Sequence, residues 1–308
     1  MEDEAVEGHP QIYPGDQVIE RAVDGSGGAR STPSRAPRAA WRRESALLIA
    51  MAIAGAAAEY PLALAIKSFD RSQIGRALPF LGVTFVLASL VPVALRINGQ
   101  LGLPGAPLIA AKIAGGKIHF SIRSLARISI GYAILAAAVG AGVLVIVVVP
   151  LVLIARGGAG ISIPKPPMLT VAPGRIAIVG ASVAIAAAIS EEIQFRLVLY
   201  AIFGWIARLI SRDSSGYPGR RALWIVTIAQ GYLFGIIHLA PVGGALFHST
   251  SRFLIGGLVM PQTWEGVVFG RLYLRRGLEA SMIAHASMDV ALFGLAAIGM
   301  LRSHLGAG

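Results

Sequence analysis

Two adjacent carboxylates inside an apolar stretch constrain this chain more than any other feature. From about Arg175 to Ile210 most positions are Ile, Val, Ala, Leu or Phe, yet Glu191 and Glu192 stand side by side within them. An ionised carboxylate in hydrocarbon costs roughly 2.5 to 3.5 kcal/mol on insertion scales, so the fold has to supply a partner or a use. On a helix, Glu192 and Arg196 are four residues apart with the acid on the N-terminal side, the favoured order for an ion pair on one face. Glu191 points about 100° away around the helix and has no such local partner. One acid is neutralised by its own helix; the other is left available.

That apolar stretch is one of several. The chain of 308 residues is 55% hydrophobic and only 14% charged. Apolar runs longer than about 18 residues read as bilayer spans, so the expected class is an all-α polytopic membrane bundle of about seven spans with interfacial or re-entrant segments. With no cysteine, disulfides, thiolate metal sites and a cysteine nucleophile are excluded together. The net charge of +11 does not point to nucleic acid. In residues 1–43 the acids Glu2, Asp3, Glu4, Glu7, Asp16, Glu20 and Asp24 nearly balance the arginines, so the excess lies in the membrane half, mostly in its loops. That distribution fits contact with lipid headgroups and a cytoplasmic N-terminus.

The order of segments predicts three parts: a disordered cytoplasmic tail over 1–43, N-terminal transmembrane helices over 44–169, and a transmembrane core over 170–308 that carries the acid pair. Spans are expected at 44–67, 77–97 and 128–154, the last uncharged and facing lipid, with a re-entrant piece over 98–124. A Gly/Pro loop (157–174) then leads to the helix bearing the acid pair. A fifth helix is placed at about 222–239, a sixth within 253–274 and a seventh at 278–301. The sixth is interrupted by Pro261-Gln262-Thr263-Trp264-Glu265, where non-helical backbone would line a cavity, which makes Glu265 a second-tier site candidate. At about 1.5 Å per residue, His238 stands too deep for a fifth helix that enters lipid at Ala222, so that helix begins in the cytosol or its bounds are wrong; if it extends, Pro241 to Phe247 complete the crossing.

Two further helices carry ionisable groups at helical spacing. Phe234 and His238 share one face of the fifth helix, and His285 and Asp289 share one face of the seventh. The third span carries no such group. The set E-E-x-x-x-R, then F-x-x-x-H, then H-x-x-x-D, together with the run Gly266 to Gly277 leading into Ile283-Ala284-His285, resembles the three motifs of the CAAX protease and bacteriocin-processing (CPBP, or Abi) intramembrane protease family, which includes the type II CAAX prenyl endopeptidases. The resemblance covers roughly residues 170–300.

This resemblance implies an endopeptidase in which Glu191 is the general base and His238 helps hold the attacking water. It places His285 and Asp289 where relatives stabilise the tetrahedral oxyanion, with Glu192, Arg196 and Phe234 in support. Its implied substrate is a peptide or lipidated protein, in some relatives the C-terminus of a prenylated one. The last motif position is often Asn in the family, whereas Asp289, when ionised, only accepts hydrogen bonds. Asp289 can therefore be protonated, orient His285, or ligate metal. Zinc is open as a cofactor, with His238, His285, Glu191 and Asp289 as the ligands, although no His-Glu-x-x-His helix is present. A metal-free glutamate mechanism is preferred. The rival readings are a non-catalytic immunity or scaffold protein of the same architecture and a proton-coupled transporter, the latter without the inverted repeats expected of one.

Overall fold

The computed structural model describes residues 38–66, 72–115, 121–150, 153, 173–214, 216–249 and 252–305. The expected tail up to residue 37 and most of the 157–174 loop lie outside the described residues. Among those described, the architecture is all-helical apart from one isolated bridge between Arg212 and Pro218. Ten α-helices follow in order: α1 (Arg38–Ile66), α2 (Ser72–Ser89), α3 (Val91–Leu101), α4 (Pro107–Ile113), α5 (Ile122–Val143), α6 (Pro173–Glu192), α7 (Tyr200–Ile210), α8 (Arg220–Ser249), α9 (Arg252–Arg276) and α10 (Leu278–Leu305). A π-helical turn, Leu144–Val148, extends α5, and a longer one, Ile193–Leu199, joins α6 to α7.

Among the described residues, three helical stretches are long and apolar enough to cross a membrane: Ile122–Val147, Ile176–Ile210 and Leu278–Arg302. A fourth is possible if α2 and α3 count as one broken span, bent by 50°. Seven spans are therefore not established among the described residues. The second expected span, 77–97, is broken at Leu90, where Pro92 falls in the first turn of α3. Proline there lacks an N–H and crowds the carbonyl one turn back, so it starts a new helix rather than continuing the old one. The reverse holds at Pro261. The interruption expected in the sixth span is absent, because α9 runs unbroken from Arg252 to Arg276 with Pro261 inside it. A proline costs one helical hydrogen bond, and close packing against α8 offsets it.

That packing is set by glycines. A side chain at Gly231 would meet the backbone oxygen of Thr263 at 2.7 Å, and one at Gly266 would meet the Cα of Gly231 at 2.7 Å. Small residues at this crossing let two helix backbones touch, which drives association in lipid where the hydrophobic effect does not. Helix α8 itself runs to Ser249, so it does extend past Phe247 and carries His238 well inside its length.

The third expected span is two-faced rather than wholly lipid-facing. In α5, Leu125, Ser129, Ala133, Ala136 and Gly140 are buried at helical spacing, and this stripe packs on α9 and α10. Ile130, Ile134, Leu135 and Ile146 on its other side are exposed. Helix α6 lies between α1 and α10, so the acid pair sits at the centre of the bundle.

The start of α10 is pinned. Gly277 takes φ of 88°, a left-handed conformation suited to glycine, and closes α9 with a bond from its N–H to the Tyr273 carbonyl. Leu278 N–H then donates to the Gly105 carbonyl at 2.9 Å, and the Ile109 N–H of α4 donates to the Glu279 carboxylate at 2.8 Å. A carboxylate in the first turn of α10 and at the N-terminus of α4 satisfies both helix ends. The two turns of helix that follow carry His285.

Candidate active site

The structure brings Glu191, Glu192, His238, His285 and Asp289 together from three helices. Glu192 is the foundation. Its side chain is fully buried, and Arg196 Nε lies 3.1 Å from its Oε2, the ion pair that the four-residue spacing predicts. The hydroxyl of Ser281 donates to the same Oε2, and His285 Nδ1 stands 3.0 Å from Oε1. Helix α10 and the turn that continues α6 thus meet on one carboxylate, which offsets the cost of burying it.

Arg196 is held from its other side by aromatic faces. Its guanidinium lies 5.1 Å from the Phe234 ring centre, and Phe234 in turn packs edge-on against Phe195 at 5.1 Å. Such cation–π contact suits a desolvated arginine. Phe234 also touches His238, with ring centres 4.3 Å apart, so this residue backs both the arginine and a site imidazole.

The segment immediately after the two acids is the π-helical turn Ile193–Leu199, all but its last residue buried. π-Turns are rare and cluster at functional sites, because they rotate the residues beyond them relative to those before. Here the turn is stabilised from the N-terminal helices: Asn98 Nδ2 donates to the Leu197 carbonyl at 3.2 Å, and Gln194 Nε2 to Thr84 Oγ1 at 3.3 Å.

Glu191 has a different environment from its neighbour. Its Oε2 is buried without a hydrogen-bond partner and faces two imidazoles, with His238 Nε2 at 3.7 Å and His285 Nε2 at 3.9 Å. Both separations exceed a direct hydrogen bond and suit one shared oxygen atom between the groups. His238 is 33% and Asp289 23% exposed, against 3% for His285, so the site opens on the side of His238 and Asp289.

The hydrogen-bond partners decide which ring nitrogens are free. His238 Nδ1 lies 2.8 Å from the Phe234 carbonyl, which only accepts, so Nδ1 carries the proton and a neutral ring presents an Nε2 lone pair to Glu191. His285 faces acceptors at both ends, Glu192 at Nδ1 and Asp289 Oδ2 at 3.4 Å from Nε2. A ring protonated on both nitrogens satisfies both, as does a neutral ring with its proton on Nδ1 that accepts from a protonated Asp289 at Nε2. The ring is stacked on Phe269 at 5.2 Å and 24°, which fixes its plane.

Glu265, the second-tier candidate, has its Oε1 3.2 Å from where a side chain at Gly140 of α5 would begin. The sequence reading did not find Ser281, Phe269 or Asn98. Ser281 carried a signal, since it precedes His285 by one helical turn. Phe269 and Asn98 carried none, because each acts on a residue far away in the chain.

Among the described residues, no group of three or more His, Asp or Glu side chains is arranged to hold a metal ion. The zinc expectation for Glu191, His238, His285 and Asp289 gains no support from this arrangement.

Residues 173–291 match the family described as type II CAAX prenyl endopeptidase Rce1-like, and the three motifs lie inside that stretch. No curated protein and no solved structure matches the chain. The family and the long apolar helices together mark an integral membrane protein.

Proposed function

Since residues 173–291 match the Rce1-like family, we propose that this chain is a multi-pass intramembrane endopeptidase in which Glu191 activates water. The observation that carries this reading is the convergence of Glu191 Oε2 with the Nε2 atoms of His238 and His285. A water between them gives one proton to Glu191 and directs the other to the His238 lone pair. Its oxygen then bonds to the scissile carbonyl carbon. General-base assistance of this kind is worth about 10²- to 10⁴-fold.

As the carbonyl oxygen gains charge, the Nε2–H of His285, its ring already fixed by Glu192 and Phe269, is shared between Asp289 and that oxygen. A donor fixed in advance contributes about 10²- to 10³-fold, because nothing has to reorganise during the reaction. Asp289 is then an acceptor that holds the Nε2 proton in place, which accounts for Asp where relatives often have Asn. When the C–N bond breaks, the proton on Glu191 passes to the leaving amine, and the base is regenerated. Glu192 and Arg196 take no part in bond-making; they hold His285 and the turn that bears Glu191.

The proposed substrate is a membrane-anchored polypeptide cut near its C-terminus, in the first instance a prenylated one ending in a CAAX-type sequence. The basic residues after the second, fourth and sixth expected spans support a cytoplasmic N-terminus. The test is cleavage of a fluorogenic farnesylated peptide by the full chain reconstituted in lipid, with and without a zinc chelator. Cleavage that survives chelation and is lost in Glu191→Gln supports the reading. Cleavage abolished by chelation overturns the metal-free mechanism, and no cleavage of any peptide favours a binding protein on the same architecture.

A further inference from the structure

The polar contacts that brace the π-helical turn come from outside the stretch that matches the family. Thr84 and Asn98 precede residues 173–291, and both are buried, at 2% and 1% exposure. Thr84 sits on α2 and Asn98 on α3, the two arms of the pair bent by 50°. On one straight helix these residues would stand about 21 Å apart along the axis. Their partners, Gln194 and Leu197, are only three residues apart in the turn. The break between the arms lets both of them pack on that one short segment. Within it the hydrogen bonds reach one residue further than in an α-helix, as where the Tyr200 N–H bonds to the Phe195 carbonyl. Such turns are rare, and one persists where its neighbours favour it. Here the Asn98 amide donates to the Leu197 carbonyl at 3.2 Å, and the Thr84 hydroxyl oxygen accepts from Gln194 at 3.3 Å. Arg196 stands between those two anchored residues and carries the ion pair to Glu192, which in turn meets His285 Nδ1.

We propose that α2 and α3 form a clamp on the acid-bearing helix, and that Thr84 and Asn98 are positioning residues of the hydrolytic site. By fixing Gln194 and Leu197 they hold the turn in its π-helical register. That register sets where Arg196 meets Glu192, and through Glu192 where His285 stands. Neither Thr84 nor Asn98 touches substrate or the attacking water. Pro92 has its part here too, because the helix it starts is the one that brings Asn98 to the turn. The inference rests on the endopeptidase reading for its effect on turnover, though not for its effect on His285.

Wild type, Asn98→Leu, Thr84→Val and Thr84→Ser would be compared as full chains in lipid. Three readouts are used: kcat and KM on the farnesylated peptide, the ring-nitrogen NMR signals of His285 in ¹⁵N-histidine-labelled protein, and thermal unfolding. Asn98→Leu keeps a branched side chain but donates nothing. It should lower kcat about tenfold with KM nearly unchanged, the scale of one buried hydrogen bond left unmade, and it should move the His285 signals. Thr84→Val, which removes the acceptor, should do the same to a smaller extent, and Thr84→Ser, which keeps it, should restore both. If Asn98→Leu does not fold, the two Thr84 variants decide the matter between them. Folded variants that merely unfold earlier, with kcat and the His285 signals of wild type, overturn the inference while leaving Glu191 as the base. A rise in KM at unchanged kcat overturns it as well. A wild type that cleaves nothing overturns the endopeptidase reading instead, and the His285 signals still decide whether the clamp sets the site.

Discussion

Glu191 and Glu192 are chemically identical neighbours placed in opposite circumstances. Glu192 is fully buried and shared by Arg196, Ser281 and His285. Glu191, one residue earlier, keeps an oxygen without a hydrogen-bond partner, aimed between two imidazoles on the open side of the bundle. The difference comes from a helical rotation of about 100°, which turns one side chain into the contact between α6 and α10 and the other toward α8. An intramembrane acid therefore becomes structural or reactive according to the face it occupies, and a reactive one is kept reactive by a structural one beside it.

The contrast breaks most sharply at Glu191 itself. Glu191→Gln keeps the size of the side chain but removes the base, so kcat should fall about 10³-fold, while thermal unfolding in detergent stays within a few degrees of wild type. Next in size is Arg196→Ala. Removing one partner of a buried pair leaves an uncompensated charge and costs about 3 to 5 kcal/mol, so this variant should lose folded protein, seen as early unfolding and loss of the monodisperse species. If Glu191→Gln instead unfolded the protein while Arg196→Ala did not, the roles of the two acids would be exchanged.

Smaller effects sharpen the picture of His285. Ser281→Ala removes one of the donors to Glu192 and should cost about 1 kcal/mol, measured by unfolding, with a modest drop in kcat because Arg196 and His285 still hold the carboxylate. Asp289→Asn keeps an acceptor oxygen toward His285 Nε2 and restores the side chain common among relatives. Its kcat should stay within about tenfold of wild type, whereas Asp289→Leu, with no acceptor, should fall further. A large loss in Asp289→Asn would mean that Asp289 does something that the amide cannot.

Much of the site was legible in the sequence because its members sit at helical spacing. The Glu192–Arg196 pair, the Phe234–His238 face and the His285–Asp289 face are each read from one segment, and the need to compensate charge in lipid told which residues to read. Partners from other segments were not legible. Nothing local says that Ser281 and His285 both serve Glu192, that Phe269 stacks under His285, or that Asn98 satisfies the carbonyl of Leu197 in the π-helical turn. The helix boundaries were harder still. Pro92 and Pro261 are similar signals with opposite outcomes, since only the second lies where glycine-mediated packing against α8 repays the lost hydrogen bond. The uncharged third span was read as lipid-facing because composition alone does not show that the small residues Ser129, Ala133, Ala136 and Gly140 share one face.

The most direct test of the central claim is an experimental structure of the full chain in a lipid nanodisc at a resolution that shows ordered water. The account predicts one water within hydrogen-bonding distance of Glu191 Oε2 and of the Nε2 atoms of His238 and His285, with Glu192 dry and bonded to Arg196 and Ser281. Packed side chains between those three atoms, or a Glu191 carboxylate turned toward Arg196 or lipid, would contradict it.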